Sequence, residues 1–390
     1  MTKIEIDHFD GDLPIDNLSD SNNYDLKYLD ACDLNYANFF EKFMLRNLPC
    51  IIRNITSSWQ CTNNWIKNEK INIEYLIDHY GDVDAPVADC DAITFNAHCK
   101  INMKVKEYMQ YLQSCERDKL LYLKDWHLRR LRPNDLFYEV PLFFGSDWLN
   151  EFATDRGEDD FMFVYIGPTK SWTPLHADVY NSYSWSVNVV GQKKWTLFPP
   201  GEEEKLKDSL GNLPVMFHPE KFPGVKFLEI VQDGGDALFV PSGWHHQVVN
   251  LLDTISINHN WVNACNIENV WSSLQQCLSS VEYEIRDLKD SPEYISQCQV
   301  ILKSLFGMDF SNFLIFLSYI GNKRITQLRK ENSKGFNNIE LGQNHIMFDL
   351  KTLHKVMNLI QNHPIFSYNC ISPDIESDFI KIKKSISMIL

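Results

Sequence analysis

His176-Ala177-Asp178 places an imidazole and a carboxylate two positions apart. On a β-strand, residues i and i+2 share a face, so both side chains can turn toward one metal ion. A lone H-x-D is common, and a metal site needs a third ligand from elsewhere in the chain. His245-His246 offers one. Alternation puts Trp244, His246 and Val248 on one strand face and His245 with Gln247 on the other, so His246 is the expected inward ligand and His245 the outward residue. Two histidines and a carboxylate on one face of an octahedron leave three adjacent positions open. That is the donor set of non-haem iron(II) oxygenases, in which a chelating cosubstrate and dioxygen both reach the metal. Catalytic zinc would also ask for a water-activating base, and the sequence contains no H-E-x-x-H.

A dicarboxylate cosubstrate requires a buried cation at its far end. Gly191-Gln192-Lys193-Lys194-Trp195 supplies a candidate. Lys193 shares a strand face with Trp195 and Leu197, so its ammonium enters an apolar interior and expects an anion there. Lys194, on the opposite face, is the surface residue. In the run Tyr183 to Val190, Trp185, Val187 and Val189 form an apolar face that can pack outward against helices. Ser184, Ser186 and Asn188 are then expected to line the cavity. Tyr165, Thr173, Asn258 and Asn260 have side chains able to hydrogen-bond the cosubstrate carboxylate.

These residues sit in a stretch of distinct texture. Between Phe161 and Trp261, short β-rich runs alternate with turn signals such as Gly167-Pro168, Pro199-Pro200-Gly201, Asp233-Gly234-Gly235 and Pro241-Ser242-Gly243. Many short strands at this rhythm indicate a barrel or sandwich. The N-terminal region is mixed α/β. An irregular arm is expected to about Asn23, helices over Leu34–Arg46, Ile73–Tyr80 and Val105–Leu112, and strands over Pro49–Ile55 and Ala92–Phe95. From Ile267 onward the spacing is helical, with apolar faces at Val270, Leu274, Leu278 and Val281 and at Leu350, Leu353, Met357 and Ile360. The polar stretch 331–345 reads as a linker or loop. The division is therefore 1–134 mixed α/β, 135–265 barrel and 266–390 helical, an α+β protein. The C-terminal apolar faces fit a homodimer interface, a substrate platform or packing within the chain equally well.

Composition narrows the partners. The formal net charge is −15, with 52 acidic against 37 basic residues. Nucleic-acid affinity comes mainly from Lys and Arg neutralising phosphates, so this balance argues against direct DNA or RNA binding. It favours a basic or lysine-bearing protein segment. The one dense basic cluster, Arg129, Arg130 and Arg132 with His127 and Lys124, reads first as a solvated helix end and second as a contact surface. Ten scattered cysteines form no C-x-x-C pair and suit reduced thiols in a cytosolic or nuclear protein. No apolar run approaches the roughly 20 residues of a membrane span, and Met1-Thr2-Lys3-Ile4-Glu5 lacks a signal-peptide core.

Several motifs in order resemble the core of the JmjC-domain oxygenases. They are Tyr165-Ile166-Gly167-Pro168, Thr173-Pro174-Leu175-His176-Ala177-Asp178, the run Gly191 to Pro200, and the run Gly235 to His246. The resemblance covers about residues 135 to 265. It implies a double-stranded β-helix, a jelly-roll or cupin-like barrel, with iron(II) on His176, Asp178 and His246. It also implies 2-oxoglutarate bound through Lys193 and Thr173. More narrowly, His176-Ala177-Asp178, Ser184 to Asn188 and Trp244 to Trp261 resemble one branch of that family. That branch implies cytoplasmic lysyl hydroxylation of the eukaryotic peptide-chain release factor, favouring translation termination. Relatives often carry asparagine where this chain has Ser186, which leaves the contacts of that wall open. The implied chemistry couples decarboxylation of 2-oxoglutarate to succinate with oxidation of a C–H bond. An N-methyl-lysine demethylase would use the same steps on a different carbon. A non-catalytic binding module would lack a ligand or the buried cation, and this sequence lacks neither.

Overall fold

Alternating runs bounded by Gly and Pro turns pair into two facing sheets. The computed structural model describes residues 3–7, 26–94, 97–329, 335–367 and 370–390. A nine-stranded sheet runs in the order Lys27–Asp30, Cys50–Arg53, Ala237–Val240, Tyr183–Val190, Thr254–Trp261, Met162–Gly167, Leu121–Trp126, Asp84–Thr94 and Ala97–Lys104. A four-stranded sheet runs Trp172–His176, His245–Asn250, Lys193–Phe198 and Leu228–Gln232. Trp195, Leu197, Ile230 and Val248 of the small sheet pack with Leu238 and Val240 of the large one, closing one end of the sandwich. This is the expected cupin-like jelly roll within an α+β fold.

The outer face of the large sheet carries Trp185, Val187, Val189, Ile255 and Ile257, all buried in one core with residues of the helices. That core draws on 1–134, 135–265 and 266–390 alike. Five strands before residue 134 lie in the same sheet as the barrel strands, so the first stretch extends the barrel sheet. The strand Leu121–Trp126 has no expected counterpart, and the strand foreseen at Ala92–Phe95 is the end of a longer one, Asp84–Thr94. Phe95 and nearly all of the expected N-terminal arm lie outside the described residues. The helix Ile73–Tyr80 has its expected bounds, with Asn72 accepting from the Tyr75 N–H at its start.

In the C-terminal region, helices Ile267–Glu284, Tyr294–Phe306, Phe310–Leu328, Gln343–Gln361 and Pro373–Ser387 pack together. Val270, Leu274, Leu278 and Val281, and Leu350, Leu353, Met357 and Ile360, are all buried inside the chain. Both apolar faces are therefore taken up by intrachain packing. The expected linker 331–345 is shorter than foreseen: Glu340–Leu341 pairs with Lys3–Ile4, and a helix starts at Gln343. Residues 331–334 lie outside the described residues. Buried Arg324 joins three helices, donating to Asp349 at 2.7 Å and to Glu151 at 2.8 Å. Among the described residues no single helix is long and apolar enough to cross a membrane.

Candidate metal centre and cosubstrate cavity

The strand Trp172–His176 ends at one histidine, and its neighbour His245–Asn250 carries the other. His176 and His246 are register partners across this antiparallel pair, after an irregularity between Thr173 and His176. Asp178 follows two residues on, and ligand atoms of the three side chains all lie within 4.8 Å of one another. His176 Nδ1 is 2.8 Å from the Pro174 carbonyl oxygen, and His246 Nδ1 is 3.0 Å from that of Trp244. A carbonyl only accepts, so each Nδ1 carries the proton and each Nε2 is left with a free lone pair. Ser184 Oγ donates to Asp178 Oδ2 at 2.6 Å, orienting the carboxylate with Oδ1 still available. Two fixed imidazoles and an oriented carboxylate fit a divalent iron ion. His245 points away, its Nδ1 3.9 Å from Glu203 Oε2.

These groups open into a cavity of about 560 Å³ lined by both sheets. The volume suits a small-molecule site. Gly191 launches the strand that bears Lys193. Its φ of +93° and the Thr254 Oγ1 lying 2.3 Å from where a Cβ would stand make glycine the residue for this turn. Lys193 is 2% exposed, and its Nζ donates to Ser256 Oγ at 2.5 Å. Burial, and next the positive charge of Lys124, lower its pKa to about 7. An amine in that position gains most from an anionic partner. Lys194 lies on the surface, paired with Glu229.

Thr173, Tyr165, Ser186, Asn258 and Asn260 all line the cavity. Ser186 Oγ is buried and has no hydrogen-bond partner among the described residues, which suits contact with a bound polar molecule. Asn258 donates to Ser256 Oγ at 3.0 Å and Asn260 to Ser182 Oγ at 3.2 Å. Tyr165 donates its hydroxyl to Asp125 Oδ1 at 2.6 Å. Asn188 departs from expectation. Its amide donates to the Gln232 carbonyl at 2.9 Å, so it joins two strands instead of lining the cavity.

Lys124 departs further. It is 8% exposed and lines the cavity, whereas its neighbours in sequence suggested a solvated cluster. Asp125 beside it has φ +58°, and the pairing with Met162–Gly167 shifts register between Leu123 and Trp126. Such a bulge lets two consecutive residues face one side of a sheet. Asp125 also accepts from Lys100 on the adjoining hairpin. Arg129 and Arg130 are engaged elsewhere: Arg129 lies 4.9 Å over the Tyr138 ring, and Arg130 pairs with Asp159. Tyr122, Lys124 and Asp125 belong to the strand Leu121–Trp126, which carries no Gly or Pro turn signal on either side to mark it in the sequence. His98 and Lys100 belong to the hairpin strand Ala97–Lys104, whose alternation of Ala97, Cys99, Ile101 and Met103 with polar residues marks it as a strand in the sequence.

Comparison with known proteins agrees with this geometry. Residues 36–267 match the family described as Cupin-like domain. The chain is 42% identical over 356 residues to a mouse protein named 2-oxoglutarate and iron-dependent oxygenase JMJD4, covering 85% of this chain and 83% of the other. The zebrafish protein of that name is 40% identical, with 87% of each chain covered. An Arabidopsis thaliana protein named Arginine-specific demethylase JMJ20 is 35% identical, covering 85% of this chain and 78% of its own.

Proposed function

The chain belongs to the cupin-like, JmjC-type 2-oxoglutarate- and iron-dependent oxygenases, in the JMJD4 group, and from that premise we propose that it is a protein lysyl hydroxylase acting on the peptide-chain release factor. The observation that carries the reading is one cavity holding both the His176, Asp178 and His246 cluster and the buried amine of Lys193. Its volume leaves space for one inserted side chain beside a five-carbon diacid. Phe161 and Phe163 line the same cavity and offer apolar contact to the methylenes of a lysine. The net charge of −15 suits a basic target segment. The narrower resemblance adds the cytoplasm and translation termination as the setting.

In this reading His176, Asp178 and His246 hold iron(II), which when bound supplies oxygen activation coupled to decarboxylation of the keto acid. Lys193, steadied by Ser256, holds the distal carboxylate, and Thr173 and Ser186 offer hydroxyls to it. Tyr165 keeps its hydroxyl on Asp125 and gives the cavity an aromatic wall that sheds water. The backward hydrogen bonds of both histidines keep their protons off the metal-facing nitrogens throughout.

The test is incubation with the release-factor N-domain, iron(II), ascorbate and 2-oxoglutarate, followed by peptide mapping. A gain of one oxygen on a lysine, with succinate formed in step, is expected. A second reading is favoured by one relative's name, arginine demethylation. It predicts loss of methyl groups from a methylated peptide and an unmodified release factor.

A further inference from the structure

Lys124 is a buried cation that the metal-centre chemistry does not use. It lines the cavity, is 8% exposed, and makes no hydrogen bond or ion pair among the described residues. Its Nζ lies over the rings of Tyr122 and Tyr165, at 5.8 and 6.0 Å from their centres. Lys193 Nζ lies 5.7 Å from the same Tyr165 ring. Two ammonium groups thus converge on one aromatic side chain from different sheets. A third, Lys100, reaches the neighbouring Asp125. Asp125 is the one carboxylate among these groups, and Tyr165 and Lys100 already occupy it. Two buried ammonium groups, Lys124 and Lys193, therefore share this wall, while Asp125 is already taken by Tyr165 and the exposed Lys100. Holding such an excess inside a protein is unfavourable unless an anion completes it. The mutual pressure is visible in Lys193, and in buried His98, whose pKa falls to about 4 through burial and then the charge of Lys124.

Lys124 faces the cavity by ordinary alternation with Tyr122, and the β-bulge turns Asp125 to the same side. We propose that Lys124 is a second cation for the distal carboxylate of the cosubstrate, acting with Lys193 to make the cavity select a dicarboxylate over a monocarboxylate 2-oxo acid. This rests on the cavity being the 2-oxoglutarate site. The pair divides the work: Lys193 is fixed by Ser256, while Lys124 is held by ring faces alone and is free to follow the carboxylate.

The experiment is calorimetric binding of 2-oxoglutarate and of 2-oxovalerate, which keeps the chain length and lacks the distal carboxylate. Manganese(II) replaces iron so that no turnover intervenes. For Lys124→Met, 2-oxoglutarate affinity should fall about ten- to a hundredfold, the scale of one lost charge-assisted hydrogen bond. Affinity for 2-oxovalerate should stay within about twofold of the parent by the same reasoning. Lys124→Arg should keep most of the preference for the diacid. Equal losses for both acids, or no loss for either, would overturn the assignment of Lys124. If the parent protein itself binds no 2-oxoglutarate, the function proposed above falls with it. Thermal unfolding of both variants without ligand checks that each is folded.

Discussion

His176 and His246 stand opposite one another across two antiparallel strands, ring centres 4.4 Å apart, and each ring is tied to the carbonyl two residues before it. The backbone of each strand thus sets the tautomer of its own histidine. Neither ring needs a partner beyond its strand to present Nε2, so the donor pair is preorganised before metal arrives.

Either His176→Ala or His246→Ala should abolish succinate formation and leave the dialysed protein with little iron by elemental analysis. His245→Ala, on the outward face near Glu203, should retain metal and most turnover. Iron lost from His245→Ala and kept by His246→Ala would reverse the strand register argued here.

Ser184 orients the third ligand through its 2.6 Å hydrogen bond to Asp178. Ser184→Ala should weaken manganese(II) binding about tenfold, at the low end for loss of a group that supports a ligand. Unchanged metal affinity would show that Asp178 needs no such support.

Lys193 carries a pH dependence whose sign follows from its environment. Its pKa in the folded, cosubstrate-free protein is about 7, well below the ordinary lysine value, through burial and then the charge of Lys124. The unfolded chain therefore binds that proton more tightly. The destabilisation is complete below about pH 7 and shrinks as pH rises toward the ordinary value. Lys193→Met should accordingly stabilise the free protein most at low pH, read by urea unfolding. In the parent protein, 2-oxoglutarate affinity should fall above about pH 7 as the ammonium loses its proton, and this slope should vanish in Lys193→Met.

Arg324 is buried between Asp349 and Glu151. Arg324→Met leaves Asp349 buried without its guanidinium and Glu151 with Lys323 alone, and should cost about 3–5 kcal/mol in denaturant unfolding. A loss below about 1 kcal/mol would mean that the two acids take up protons instead.

The strand alternation of His246 and Lys193 was legible because each lies in a run with apolar partners on the same face, Trp244 and Val248 for one and Trp195 and Leu197 for the other. The turn at Gly191 and the helix Ile73–Tyr80 were equally plain. What stayed hidden depends on backbone irregularity. The left-handed Asp125 adds a second consecutive residue to the cavity side beside Lys124, in what reads locally as a basic surface stretch. Asn188 shares a strand face with Ser184 and Ser186 yet bonds across to a strand of the facing sheet, which alternation alone does not distinguish. The membership of the N-terminal strands in the barrel sheet is a matter of long-range pairing, to which local pattern is silent.

That pairing has a practical outcome for anyone trimming the protein. The strand Leu121–Trp126 hydrogen-bonds directly to Met162–Gly167 and contributes Tyr122, Lys124 and Asp125 to the cavity. A fragment starting at residue 135 would keep His176, Asp178 and His246 but expose the flank of a sheet edge and leave the Tyr165 hydroxyl unmated. Such a piece should aggregate, and adding back the preceding segment in trans should be what restores it.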